Sequence, residues 1–156
     1  LTGWERVARN RNYVRFEFPS VPENAAFCRV AVAAFASQLD FTLDDLEEIK
    51  VATSEAVSNA IIHGYQNHPE GVVRVSVFMD EDGIEIRVED RGVGIADVEL
   101  AMQPSYTTCE DRVGLGFSFM QSFMDRVEVI SEVNRGTLVR LFKALKKHSA
   151  DGTQEA

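Results

Sequence analysis

Residues 71–94 read GVVRVSVFMDEDGIEIRVEDRGVG, and on either side of DEDG (80–83) apolar and polar side chains alternate. A period of two is the pattern of a strand with one buried face. Ile84, Ile86 and Val88 are expected to face a core, and Glu85, Arg87 and Glu89 to face away from it. DEDG supplies the turn residues of a tight hairpin. A hairpin pairs its strands antiparallel, and that sets the class of sheet.

The flanking sequence extends the same reading. RVEVISEV (126–133) and TLVRLFKAL (137–145), joined by NRG, predict a second hairpin, and YVRFEF (13–18) predicts a strand with Val14, Phe16 and Phe18 on one side. Between the first strand and the first hairpin the period becomes helical. Ser20 and Glu23 predict a capping box with Pro22 in the first turn, followed by an apolar face of Phe27, Val30, Ala34 and Phe35. Thr42 and Asp45 predict a second cap. Leu43, Leu46, Ile49, Val57, Ala60 and Ile61 are expected on the buried side of that helix, which should stop at Gly64 as a left-handed C-cap. FSFMQSFM (117–124) predicts a third helix, with Phe117, Met120 and Met124 on one side. The order β-α-α-β-β-α-β-β gives an α+β two-layer α/β sandwich: a mostly antiparallel sheet covered by helices on one face. One domain is expected over 13–145. Residues 1–12 are expected to be a flexible extension, and the polar segment 146–156 a disordered tail.

Composition narrows the function classes. The chain has 156 residues, 45% apolar and 26% charged, with a net charge of −9. That acidity argues against broad contact with a nucleic-acid backbone and permits a basic protein partner. No apolar run approaches the ~18 residues of a membrane span. LTGWERVARNRN has no apolar stretch behind its basic residues, so no signal peptide is expected. Cys28 and Cys109 are too far apart for a metal-binding pair and are read as free thiols in a reducing cytoplasm.

Three short motifs could carry chemistry. In EAVSNAIIHGY (55–65), Glu55, Asn59 and His63 recur every fourth residue. A step of four turns ~400° about a helix, so all three share one face over ~12 Å. The stripe is either a solvent boundary with His63 near the helix end or the edge of a site. DRGVG (90–94) follows a strand: either an ordinary turn, or an acid beside glycines that admit a planar ligand close to the backbone. Gly114 and Gly116 of GLGF lie just before the third helix, where free N–H groups attract phosphate; a plain loop is the alternative. No Lys-Ser/Thr follows, so this is not a P-loop. None of the three is specific alone, whereas their order and separation are.

Taken together, the motifs resemble the N box and the two glycine boxes of the GHKL ATPase superfamily, whose ATP-binding domain has the Bergerat fold. From about residue 13 to 145, SEAVSNAIIHGY, DRGVGI, GLGFSFMQSFMD, SEVNRGTLV and FCRVAVAAFASQLD are similar to the bacterial anti-sigma serine kinases. The resemblance implies ATP and Mg²⁺ as ligands, with Asn59 holding the metal through its amide oxygen and Glu55 accepting the proton of an attacking hydroxyl. It implies that Asp90 accepts the adenine amine, that Gly92 and Gly94 let the base lie close, and that Thr137 bonds to the adenine edge. Thr107, Thr108, Gly114 and Gly116 would touch the phosphates, and Arg112 would offset charge during transfer. The lid segment YTTCEDRVGLGF is a little shorter than this family carries, which bears on where Arg112 sits.

The resemblance also implies a homodimer through the first strand and helix, with Arg29 on a surface shared by two partners. Those partners would be a sporulation sigma factor (sigma F) and an anti-anti-sigma protein phosphorylated on serine. A general-stress kinase with another sigma factor is the near alternative, and a module that binds ATP without transfer is a further one. The catalytic part of a two-component histidine kinase uses the same boxes. It also needs a helical hairpin with a phosphoacceptor histidine, and here the histidines are His63, His68 and His148 with no such hairpin before them.

Overall fold

The computed structural model describes residues 11–103 and 113–146. Strand β1 (Asn12–Pro19) is followed by helices α1 (Glu23–Ala36) and α2 (Leu43–Asn59), and α2 runs on into a single π turn, Ala60–Gly64. Strands β2 (Val72–Asp80) and β3 (Gly83–Asp90) come next, then a one-turn helix α3 (Val98–Ala101), helix α4 (Val113–Phe123), and strands β4 (Arg126–Glu132) and β5 (Gly136–Ala144). The sheet order is β1-β2-β3-β5-β4, and every neighbouring pair is antiparallel.

Register follows the alternation. Val75 lies opposite Val88, Val77 opposite Ile86, and Val88 opposite Val139, so one face of the three central strands is continuous hydrocarbon. Onto it pack Ile49, Ala56, Val57 and Ile61 of α2 and its π turn, Phe117 and Met120 of α4, and Cys28, Val32 and Ala36 of α1. This is the expected α+β sandwich. The Thr42–Asp45 capping box forms in both directions.

Several local expectations are corrected. Ser20 and Glu23 form no capping box: Pro22 occupies the N-cap position without a side-chain bond, and the Ser20 hydroxyl donates to the His68 carbonyl. Ser20 is buried at the end of β1, where a tertiary acceptor outcompetes the helix start. On α1 the buried stripe is Cys28, Val32 and Ala36, whereas Phe27 and Val30 are 59% and 60% exposed and Ala34 also faces out. Small residues on the inner side let α1 lie close to α2, while Phe27 and Val30 point to solvent and Phe35 stays half-buried against the core. Leu43, the first residue of α2, is exposed. Glu85 does face away from the helices, yet it is only 5% exposed, because Arg140 and Arg87 pair with it across the open face of the sheet. β1 begins at Asn12, and the Arg11 amide still donates to Met79. The rest of the expected N-terminal extension, and the tail beyond Lys146, lie outside the described residues, as does Cys109. The Cys28 thiol is fully buried and pushed up to about 12 by that burial, which makes it inert.

Thr53 sits on the inner side of α2, fully buried, and its hydroxyl has no hydrogen-bond partner among the described residues. Removing a buried group left without a partner is favourable. Thr53→Val is expected to stabilise the fold by ~1 kcal/mol, read as a raised midpoint in urea. An unchanged or lower midpoint would mean that the hydroxyl is satisfied in solution.

Candidate functional site

The site forms where the end of α2 meets the end of β3. Asn59 is the last α-helical residue, and the π turn that follows closes with a bond from the Tyr65 amide to the Ala60 carbonyl (2.9 Å). Such wide turns are rare and concentrate at functional sites. Here it carries Gly64 inside helical geometry, so Gly64 is not the left-handed cap expected from the sequence. It is glycine for another reason. A Cβ on it would stand 2.7 Å from Asp90 Oδ1, and the Gly64 carbonyl accepts the Val93 amide at 2.9 Å.

The loop after Asp90 interlocks with this helix end. A Cβ on Gly92 would fall 1.9 Å from the Gly64 carbonyl oxygen. Gly94 has φ +72°, which favours glycine, and a Cβ there would meet the Glu132 carbonyl. On the far side the Asn134 amide donates to Val93, which ties the loop to the β4–β5 turn. Both glycines of DRGVG are thus required by close backbone approach.

Asp90 is 6% exposed. Its Oδ1 accepts the Gly92 amide at 2.9 Å, and its backbone pairs with Thr137 across the β3–β5 ladder. Burial pushes the carboxyl up to about 6; hydrogen bonds from the Gly92 and Thr137 amides pull it back in part, and the neighbouring Glu89 adds to the rise. Thr137 is 8% exposed, and its hydroxyl shares a 2.8 Å hydrogen bond with Ser131. The Ser131 oxygen also accepts the Ile95 amide at 2.8 Å.

A narrow cleft opens between these elements. Its apolar walls are Ala56, Val88, Phe117 and Val139, and its polar groups are Asn59, His63, Asp90 and Thr137, with Gly64, Gly94 and Ile95 at the edges. An apolar slot with a few convergent polar groups suits a flat heterocycle that carries hydrogen-bonding edges.

Asn59 lines this cleft, and Glu55, one turn earlier on α2, lies beside it under the start of α4. A Cβ on Gly116 would be 3.0 Å from Glu55 Oε2 and 3.2 Å from Asn59 Nδ2, so the start of α4 closes directly over both side chains. Gly114 and Gly116 belong to the first turn of α4 rather than preceding it. The Asn59 amide nitrogen is buried with no partner among the described residues. Arg29 is exposed on α1 and does not line the cleft. Arg112, Thr107 and Thr108 lie outside the described residues.

The structure adds Gly64, Ser131 and Gly136 to the residues expected from sequence. Gly136 has φ +122°, and a Cβ on it would be 2.0 Å from the Asp90 carbonyl oxygen. In the sequence NRG signalled only a hairpin turn; Gly136 in fact also makes room for the Asp90 backbone.

The chain is similar to known proteins. Residues 18–143 match the family described as histidine kinase-like ATPase domain. The anti-sigma F factor of Geobacillus kaustophilus is 51% identical over 142 residues, covering 90% of this chain and 97% of that protein. The anti-sigma F factor of Clostridium beijerinckii is 49% identical over 134 residues, covering 85% and 94%. The crystal structure of the RsbU and RsbW domains of a Mycobacterium tuberculosis protein superposes with a TM-score of 0.63 at 16% identity; it covers 86% of this chain, which spans 33% of that one, and the likeness is one of fold. The chain belongs to the histidine kinase-like ATPase family, in its anti-sigma F factor group.

Proposed function

We propose that this protein is an anti-sigma factor that also acts as an ATP-dependent protein serine kinase. It binds a sporulation sigma factor, sigma F, and it phosphorylates a serine on the anti-anti-sigma protein that would otherwise release that factor. The observation that carries the nucleotide reading is the buried Asp90 carboxylate in an apolar slot that Asn59 also lines, with Glu55 and Asn59 together beneath Gly116 of α4. In this reading Asp90 and Thr137 take the adenine edge, and Gly92 and Gly94 keep the backbone clear of the base. Gly114 and Gly116 offer the α4 N-terminus to the phosphates. Thr107, Thr108 and Arg112 are assigned to the phosphates on family resemblance.

Asn59 would hold Mg²⁺. Its buried amide has an unused nitrogen, and the orientation of such an amide is open to exchange of N and O, so the oxygen can face the cleft. When bound, the ion would neutralise phosphate charge. Glu55, one turn before Asn59, would take the proton of the attacking serine hydroxyl.

Partner contacts are assigned to α1. Arg29 is exposed there beside Phe27 and Val30, which are large apolar groups for a free surface. In this reading β1 and α1 would form the homodimer, and the surface around Arg29 would receive sigma F and its antagonist. No described helix is long and apolar enough to cross a membrane. A sigma-factor partner would place the protein in the cytoplasm.

The test is phosphoryl transfer from Mg-ATP to an anti-anti-sigma protein. Acid-stable phosphoserine on the antagonist is the expected product. Acid-labile phosphohistidine would favour a histidine kinase instead, and ATP binding without any transfer would leave only a nucleotide-gated binding module.

A further inference from the structure

The sequence EAVSNAIIHGY ends on Tyr65, a residue that the nucleotide reading leaves unused. Tyr65 lies just outside the cleft, yet its hydroxyl joins two elements that frame the glycine loop. It donates to the Val72 carbonyl at the start of β2 (2.6 Å) and accepts the backbone amide of Arg91 (2.8 Å). Arg91 is the residue after Asp90, so this bond fixes the peptide plane that leaves the Asp90 Cα. The Tyr65 ring is itself held, since a Cβ on Gly71 would lie 2.4 Å from it. Gly71 in turn is fixed by its carbonyl, which accepts the Ser20 amide at 2.8 Å.

We propose that Tyr65 is a positioning residue for nucleotide recognition: its hydroxyl, anchored on β2, holds the Arg91 amide and so aims the Asp90 carboxylate into the cleft. The inference rests on the reading that Asp90 accepts the amine of adenine. Without the bond to Tyr65 the Asp90–Gly92 turn keeps its internal hydrogen bond but loses its external tether, and the carboxylate samples a wider arc. A purely structural Tyr65 would affect folding without distinguishing between bases.

The test is Tyr65→Phe, which keeps the ring on Gly71 and removes only the hydroxyl, with ADP and GDP as titrants. The Kd for ADP is expected to rise about three- to tenfold, with little change for GDP, so base preference falls by the same factor. In an Asp90→Asn background the same substitution should change the ADP Kd by less than about twofold, since both act through one contact. Gly71→Ala, which pushes the ring aside, should reproduce the loss of preference from outside the cleft. Weaker ADP binding by Asp90→Asn with an unchanged ADP-to-GDP ratio in Tyr65→Phe would overturn this inference alone. Normal ADP binding by Asp90→Asn would overturn the adenine reading and this inference with it.

Discussion

Glu55→Gln is expected to bind Mg-ATP normally and to transfer almost no phosphate. The rate in a single turnover should fall by ~10²–10⁴, the usual contribution of a positioned general base, or ~3–5 kcal/mol of barrier. The substitution is close to isosteric, so packing against the start of α4 survives; Glu55 Oε2 lies 3.0 Å from where a Cβ on Gly116 would stand. What changes is basicity. An amide cannot accept the serine proton, while it still fills the same space beside Asn59. A carboxylate facing a triphosphate repels it, so the neutral side chain should bind nucleotide at least as tightly as the parent. Kinase activity is to be measured on the antagonist protein and affinity by calorimetry with a non-hydrolysable analogue. Transfer at the parental rate would place the base elsewhere, whereas loss of binding would make Glu55 a ligand-holding group rather than a proton acceptor.

The residues of this site were legible in the sequence to different degrees, for physical reasons. The sheet could be read because each strand has a single buried face, and alternation records that face directly. Val75, Val77, Ile84, Ile86 and Val88 all point where their spacing says they should. The facing of α1 could not, because the helix is apolar nearly all round and Phe27 and Cys28 offered periodicity no contrast. Only packing distinguishes the small inner side from the bulky outer one. Glu85 faces away from the core as its spacing says, but its burial left no mark in the alternation, since three charged side chains from β3 and β5 satisfy one another on the open face. In the candidate site, Asn59, Asp90 and the glycines stood out through motif spacing. Gly64, Ser131 and Tyr65 did not, since each acts on a segment far away in the chain. The π turn was equally invisible: one extra residue in a helical turn changes hydrogen bonding without leaving a mark in composition.

Asp90→Asn should weaken ADP binding tenfold to a hundredfold, ~1.5–3 kcal/mol, while making the free protein more stable at neutral pH. The two effects share one cause. Burial raises the Asp90 carboxyl from 3.8 to about 6, so the folded state holds this proton more tightly than the unfolded chain does. The stability it contributes is therefore fully present below about pH 4 and is lost as pH rises through about 6, a difference of ~1–3 kcal/mol. Asparagine has no charge to bury and keeps an oxygen for the Gly92 amide. The variant should gain that margin at pH 7.5 and converge with the parent near pH 4, as read by urea unfolding. Binding should run the other way. The parent should lose ADP affinity as pH falls through 6 and the carboxylate that attracts the amine is neutralised, while the variant should show no such step. On this reading, a site tuned for its ligand at the expense of its own stability would explain why an acid occupies a place that packing alone would give to a neutral residue. If Asp90→Asn bound ADP as the parent does, with the same pH profile, the carboxylate would have no part in recognising the base, and its burial would need a purely structural cause.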